Sequence, residues 1–261
     1  MTATAGPTPD GVLSDGADQF VDTPAGPRIC YRVDGAPQGV PLLLIAGLGL
    51  DLTSWPVRMV DSFTASGFRV IRLDNRDAGR SSRIDASPPS LLRQLLARPR
   101  PDAYTLADMA ADTLVRLAQP AARTVDASVT HHLRMLSHIS SPTFPPDAEL
   151  ERTWAASVWQ RRGGTGDGPA VARQIDAIRA SGDRTAELGR ITAPTLVIHG
   201  DRDRMVHPSG GRATTRAIPG ARHIEIPGMG HHLAPGLLDR LSQLITDHIT
   251  HSTSPRRGDQ S

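Results

Sequence analysis

Apolar and polar positions change period along the chain in a definite order. "GVPLLLIAG" (39–47) is a continuous apolar run ending in glycine, the pattern of a strand buried on both faces. "FRVIRLD" (68–74) reads as a second such strand. Helical spacing over about 55–66, between them, predicts a strand–helix–strand crossover and so a parallel sheet. "RICYRV" (28–33) alternates, which predicts an outer strand. The buried-strand pattern returns in "APTLVIHGD" (193–201), and "ARHIEIPG" predicts one more strand. "PSGGRATTRAI" predicts helix in its second half, and "PGLLDRLSQLITDHI" (235–249) an amphipathic closing helix.

Between about 84 and 190 the pattern is helical, broken by Pro and Gly, with "RRGGTGDGP" (161–169) as a flexible connection. Strands therefore occupy the first third and the last quarter of the chain. That order predicts an α/β sheet flanked by helices, with a helical insertion placed to cap the carboxyl ends of the strands. Ligand clefts of open α/β sheets lie at those ends. The expected division is a loose polar arm over 1–20, one domain over 21–250 with its cap at about 119–185, and a disordered tail over 251–261.

Composition narrows the classes. At 261 residues, with 38% hydrophobic and 21% charged positions, the chain suits one globular domain. No apolar run approaches the roughly 20 residues needed to span a bilayer, and the N-terminus lacks the basic start and apolar core of a signal peptide. A cytoplasmic protein that does not bind membranes is expected. Cys30 is the one cysteine, which excludes intrachain disulfides and cysteine metal clusters. All 29 basic residues are arginine, net charge is only +2, and the arginines are interspersed with acids rather than massed, so no nucleic-acid footprint forms.

Three candidate features fall at strand ends. "IAGLGLDLTSW" places Gly47 and Gly49 after one strand, where bare backbone can approach a ligand and its N–H groups can donate to a developing negative charge. "IHGDRDRMV" presents Asp201 and Asp203 in a tight turn. "IPGMGHH" presents His231 between strand and closing helix. Asp203 and His231 are 28 residues apart (231 − 203), one helix plus one strand, so successive loops can set carboxylate and imidazole side by side. A carboxylate on one ring nitrogen would fix the tautomer and favour the imidazolium formed on proton transfer. Asp201 is expected to cap its turn, and His232 to be solvated.

Several other patterns point to no chemistry. His131, His132 and His138 share one predicted helix at spacings unlike zinc pairs. "GLGLDL" lacks the third glycine of a dinucleotide turn, with Leu52 in its place. "RPRP" is a turn-rich linker, and "RGD" (257–259) an accidental tripeptide.

"AGLGLD", "RVIRLDNRDAGRSS", "APTLVIHGDRDRMV" and "IPGMGHHL" together resemble the α/β-hydrolase family, over about 28–249. The nearest branch is that of aclacinomycin methylesterase and polyketide esterases. The resemblance implies a mostly parallel sheet with a helical cap, a small-molecule ester substrate or ligand, and no metal or other cofactor. It places the acid on Asp203, the base on His231 and one oxyanion donor on the backbone N–H of Leu48, supported by Gly47 and Gly49. "DNRDAGRSS" (74–82) matches a structural turn of the family, with Asp77-Ala78 replacing its usual small pair.

The family's nucleophile stands on a G-x-S-x-G elbow ahead of the acid, and no such motif occurs here. From ordinary element lengths, roughly 40–70 residues of the central nucleophile strand–helix segment are expected to be absent between Leu117 and Ala122. Ser128 lacks both flanking glycines, Ser81 and Ser82 follow the wrong strand and Ser54 lies in the oxyanion loop, so no nucleophile is assigned. Three readings stay open: an ester hydrolase with little or no activity; a non-catalytic pseudoenzyme that binds small molecules or forms a homo-oligomer whose partner supplies the strand; and a His-Asp general-base lyase or cyclase without a covalent step.

Overall fold

Six strands form two separate sheets in the computed structural model, which describes residues 17–24, 26–84, 122–166 and 168–253. The larger sheet has the order β1-β2-β4-β3: β1 (Gln19–Asp22), β2 (Arg28–Asp34), β4 (Phe68–Leu73) and β3 (Val40–Ile45). β1 and β2 pair antiparallel, as do β2 and β4, whereas β3 and β4 run parallel with Val40 opposite Phe68 and Ile45 opposite Leu73. The smaller sheet is the parallel pair β5 (Leu196–Gly200) and β6 (Arg222–Ile226). The sheet is thus mixed. β2 is interior and β1 takes the outer position, because the end of the expected arm folds back as a strand. Asp18 fixes that arm with ion pairs to Arg32, Arg80 and Arg161.

Seven α-helices cover the described residues: α1 (Val57–Ala65), α2 (Val125–Ile139), α3 (Ala148–Arg161), α4 (Gly168–Ser181), α5 (Thr185–Leu188), α6 (Pro208–Ala217) and α7 (Leu238–Thr253). α6 is helical from its first residue because Pro208 suits a first helical turn and His207 caps it. α7 runs beyond the expected end of the domain to Thr253. The helical pattern expected from about 84 lies outside the described residues up to 121, with the junction between Leu117 and Ala122, as do 1–16 and 254–261.

One apolar core joins the two halves. Leu44, Met59, Val60, Phe63, Phe68 and Val70 pack with Ile226, Met229, Ala234, Leu237 and Leu241, all buried. α1 contributes one face and α7 returns to meet it, so the closing helix ties the small sheet to the large one. The turn between β4 and the cap is held differently. Arg161 of α3 is buried against Asp18, Asp51 and Asp74, and Arg173 of α4 grips Asp77 at 2.6 Å. Asp77 is the one non-glycine residue with positive φ among those described, at 68°. The Arg173 pair draws its carboxyl below the usual range against the opposing effect of burial.

β3 is an edge strand and carries an apolar face to solvent: Leu43 is 51% exposed and Ile45 59%, while Val40, at the start of the strand and on the opposite face, is 54% exposed. A strand written "VPLLLI" has the composition of one covered on both sides. Among the described residues neither β3 nor β5 has a partner on its second edge.

Candidate active site

Asp203 follows β5 in the turn Asp201–Asp203, and His231 follows β6. The parallel pairing of these strands brings the two loops to the same end. His231 Nδ1 lies 2.8 Å from Asp203 Oδ2. Asp203 is itself held rigid, because its Oδ1 accepts from the backbone N–H groups of Met205 and Val206, each at 2.8 Å. Burial by itself would raise the Asp203 pKa, but the bond and charge of His231 and the two backbone donors hold it below the ordinary value. A carboxylate accepts only, so Nδ1 of His231 carries the hydrogen of this bond. The His231 side chain is 37% exposed, while that of Asp203 is 6% exposed.

The loop "IPGMGHH" achieves this by close packing. Gly228 takes φ of +79°, and its N–H donates to Asp201 Oδ1 at 2.6 Å, so the Asp201 carboxylate reaches across to the His231 loop, while the turn it stands in is capped by Asp203. At Gly230 a β-carbon would sit 2.5 Å from the carbonyl oxygen of Ile139, which explains the glycine. The His231 N–H donates to that same oxygen at 2.8 Å. Ser141 Oγ donates to the Gly228 carbonyl. The end of α2 therefore backs the base loop. Beside the pair opens a cavity of about 320 Å3 lined by Ile198, His199, Val206, Met229 and His231 among others.

The predicted oxyanion loop sits at the end of β3, on the other sheet. Gly49 N–H donates to Gln174 Oε1 at 2.9 Å, and Gly49 C=O accepts from Arg162 Nη2 at 3.2 Å, so two cap residues hold the loop around Leu48. Gly47 accepts from Leu50 N–H within the turn. The structure thus joins Asp203 to His231 and places Leu48, Gly47 and Gly49 in a separate, cap-braced loop. The serines weighed from the sequence are occupied elsewhere. Ser81 Oγ bonds Asp74 and Cys30, Ser82 Oγ accepts from Arg28, Ser54 Oγ from Asp51, and Ser128 lies on α2.

One expectation changes. His232 is not solvated: its side chain is 14% exposed, and Nε2 meets Glu151 Oε1 at 2.8 Å. His132 is a partner of the same carboxylate, through Oε2 at 2.6 Å. His199 is a third neighbour of the acid, with Nε2 3.5 Å from Asp203 Oδ2 and 2.7 Å from the Val206 carbonyl. Glu151, Gln174 and His199 escaped the sequence reading because they lie in ordinary helix or strand patterns without motif spacing.

The model of the alpha/beta hydrolase fold matches residues 116–235. A rhodomycin D methylesterase of Streptomyces peucetius is 30% identical over 281 aligned positions, covering 84% of this chain and 94% of that protein. A second rhodomycin D methylesterase, from Streptomyces sp. strain C5, matches with the same identity and coverage. Among solved structures, E-2-(acetamidomethylene)succinate hydrolase superposes with a TM-score of 0.68 at 18% identity, covering 90% of this chain and 99% of the other. A Pseudomonas aeruginosa hydrolase gives 0.62 at 22% identity, covering 93% and 100%. The fold, with Asp203 and His231 hydrogen-bonded at the end of a parallel strand pair, and the 30% identity to a relative covered over 94% of its length define the class: the chain belongs to the α/β-hydrolase family. Within it, the chain resembles the branch of the anthracycline methylesterases.

Proposed function

We propose that this protein is a carboxylic-ester hydrolase by descent that keeps the acid and base of the triad, Asp203 and His231, and has lost the serine elbow. The observation that carries this reading is the 2.8 Å His231–Asp203 bond in a chain without G-x-S-x-G. The alignment lengths support it. Since 84% of 261 residues is about 219, about 62 of the 281 positions aligned with the methylesterase face no residue of this chain. Among the described residues the second edges of β3 and β5 carry no strand, which supports it as well, for a central strand would cover both. In an intact relative a serine would attack the ester carbonyl, the imidazole would take its proton, and the elbow would supply the second oxyanion donor. Without nucleophile and second donor, turnover falls by many orders of magnitude.

The deciding measurement is hydrolysis of a short-chain p-nitrophenyl ester together with labelling by a fluorophosphonate probe. The expected result is neither turnover above the uncatalysed rate nor a labelled serine. Turnover that disappears in His231→Ala would overturn the inactive reading. Labelling of a serine, located by peptide mapping, would overturn the absence of a nucleophile.

Two specific observations favour secondary readings. The apolar second edge of β3 fits a homo-oligomer in which a partner continues the sheet. The cavity lined by His231 fits general-base chemistry on a small molecule without a covalent intermediate.

A further inference from the structure

Glu151 of α3 holds two imidazoles at once, His232 through Oε1 at 2.8 Å and His132 through Oε2 at 2.6 Å. Its side chain is 13% exposed. His232 Nδ1 is buried without a hydrogen-bond partner among the described residues, so Glu151 is the polar attachment of that ring, and the ring is held as its Nε2–H tautomer. The His132 ring lies 4.8 Å from that of Trp154, and Trp154 Nε1–H donates to the Thr53 carbonyl at 2.9 Å. Thr53 is fixed in turn by Asp51. A continuous line of contacts therefore runs from the turn after the Leu48 loop, through α3 and α2, to the residue beside His231. Among the described residues no cluster of three histidines, cysteines or carboxylates is arranged to hold a metal ion, which leaves hydrogen bonding as the business of this trio.

The base loop needs such a tie on one side. Upstream of His231 the backbone is held by its own N–H on Ile139, by Ser141 on Gly228 and by Gly228 on Asp201. Downstream, Glu151 pins the next side chain. Two adjacent side chains fixed on different carboxylates stop the backbone between them from rotating, and that rotation would carry the His231 ring off Asp203.

We propose that Glu151 is a positioning residue for His231, coupling the helical cap to the base by clamping His232. This rests on His231 being the retained base. The carboxylate is suited to the task. Burial would raise its pKa, but the hydrogen bonds from His132 and His232 bring it down to about 2, so it stays charged at working pH.

The test follows the Nδ1 proton of His231 by NMR in the full-length chain, assigned by its loss in Asp203→Asn, together with carbethoxylation of His231 by diethylpyrocarbonate mapped by mass spectrometry. In Glu151→Ala the proton exchanges about tenfold faster or more, and carbethoxylation rises comparably, the scale set by losing one charged hydrogen bond. Glu151→Gln, which keeps the shape without the charge, gives an intermediate change and decides the matter if the alanine variant fails to fold. A purely structural role would lower the melting temperature and leave both readouts in place; unchanged readouts in the folded variants overturn the proposal. If the wild-type protein shows no such Asp203-dependent proton, the acid–base pair itself fails and the proposal falls with it. A proton present and unmoved in the Glu151 variants overturns this proposal alone.

Discussion

His231 and His232 are adjacent in sequence and belong to different carboxylates: His231 Nδ1 to Asp203 at 2.8 Å, His232 Nε2 to Glu151 at 2.8 Å. One ring lines a cavity, and the other is tied to α3. This division gives the loop its two attachments and makes its energetics separable.

The Glu151 clamp leaves a mark on acid stability. The folded pKa, brought down to about 2, lies below the unfolded value of about 4.3, so the unfolded chain binds more protons in between. The stabilisation is complete above about pH 5 and is lost as pH falls from there toward 2, with a size on the order of 3 kcal/mol at about 1.4 kcal/mol per unit. Urea unfolding across that range should show a shallower acid limb for Glu151→Gln than for wild type.

Gly230→Ala should be among the most damaging small substitutions. Its β-carbon would meet the Ile139 carbonyl oxygen at 2.5 Å and backbone atoms of Ser140 and Ser141 at 3.1 Å, and none of these backbone atoms can turn aside. A loss of about 2–4 kcal/mol is expected from overpacking and from breaking the His231 N–H bond to that oxygen. Chemical denaturation measures it, and a loss under about 1 kcal/mol would mean that α2 does not back the loop so closely.

Arg161→Met removes the cation shared by Asp18, Asp51 and Asp74; Asp18 keeps Arg32 and Arg80 and Asp51 keeps Arg162, so buried Asp74 is the carboxylate that loses its cation. The expected cost is about 3–5 kcal/mol. Arg161→Lys should recover only part of it, since one ammonium cannot reproduce the planar fork. Thermal unfolding of the pair tests both statements.

Ile45→Arg places a charge on the exposed face of β3. At 59% exposure the side chain contributes little to the monomer, so stability should change by no more than about 0.5 kcal/mol while self-association declines. Light scattering after size exclusion reads the association. A loss above about 1 kcal/mol would show that something covers this face.

The strands β2 to β6, the helices α1 and α7 and the Asp203–His231 pair were legible in the sequence, because each has a local cause. Continuous apolar runs make buried strands, a 3.6-residue period makes α7, and glycines framing a histidine make a loop. β1 was missed, since "QFVD" has no periodicity of its own and pairs only because β2 offers an edge and Asp18 is anchored by arginines. Glu151 was invisible because "AELERTW" is an ordinary helix start, and its two histidine partners are 19 and 81 residues away.

By itself, then, the sequence determined the order of elements, the family resemblance and which acid answers to which base, because hydrophobic period and turn residues act over short stretches. It also determined that no G-x-S-x-G elbow is present. Only the tertiary structure decided that the strands stand as two sheets, that β3 turns an apolar face outward, and that the cap braces both the base loop and the Leu48 loop. Those outcomes depend on contacts between residues distant in the chain, where burial and charge pairing are set by what the fold brings together.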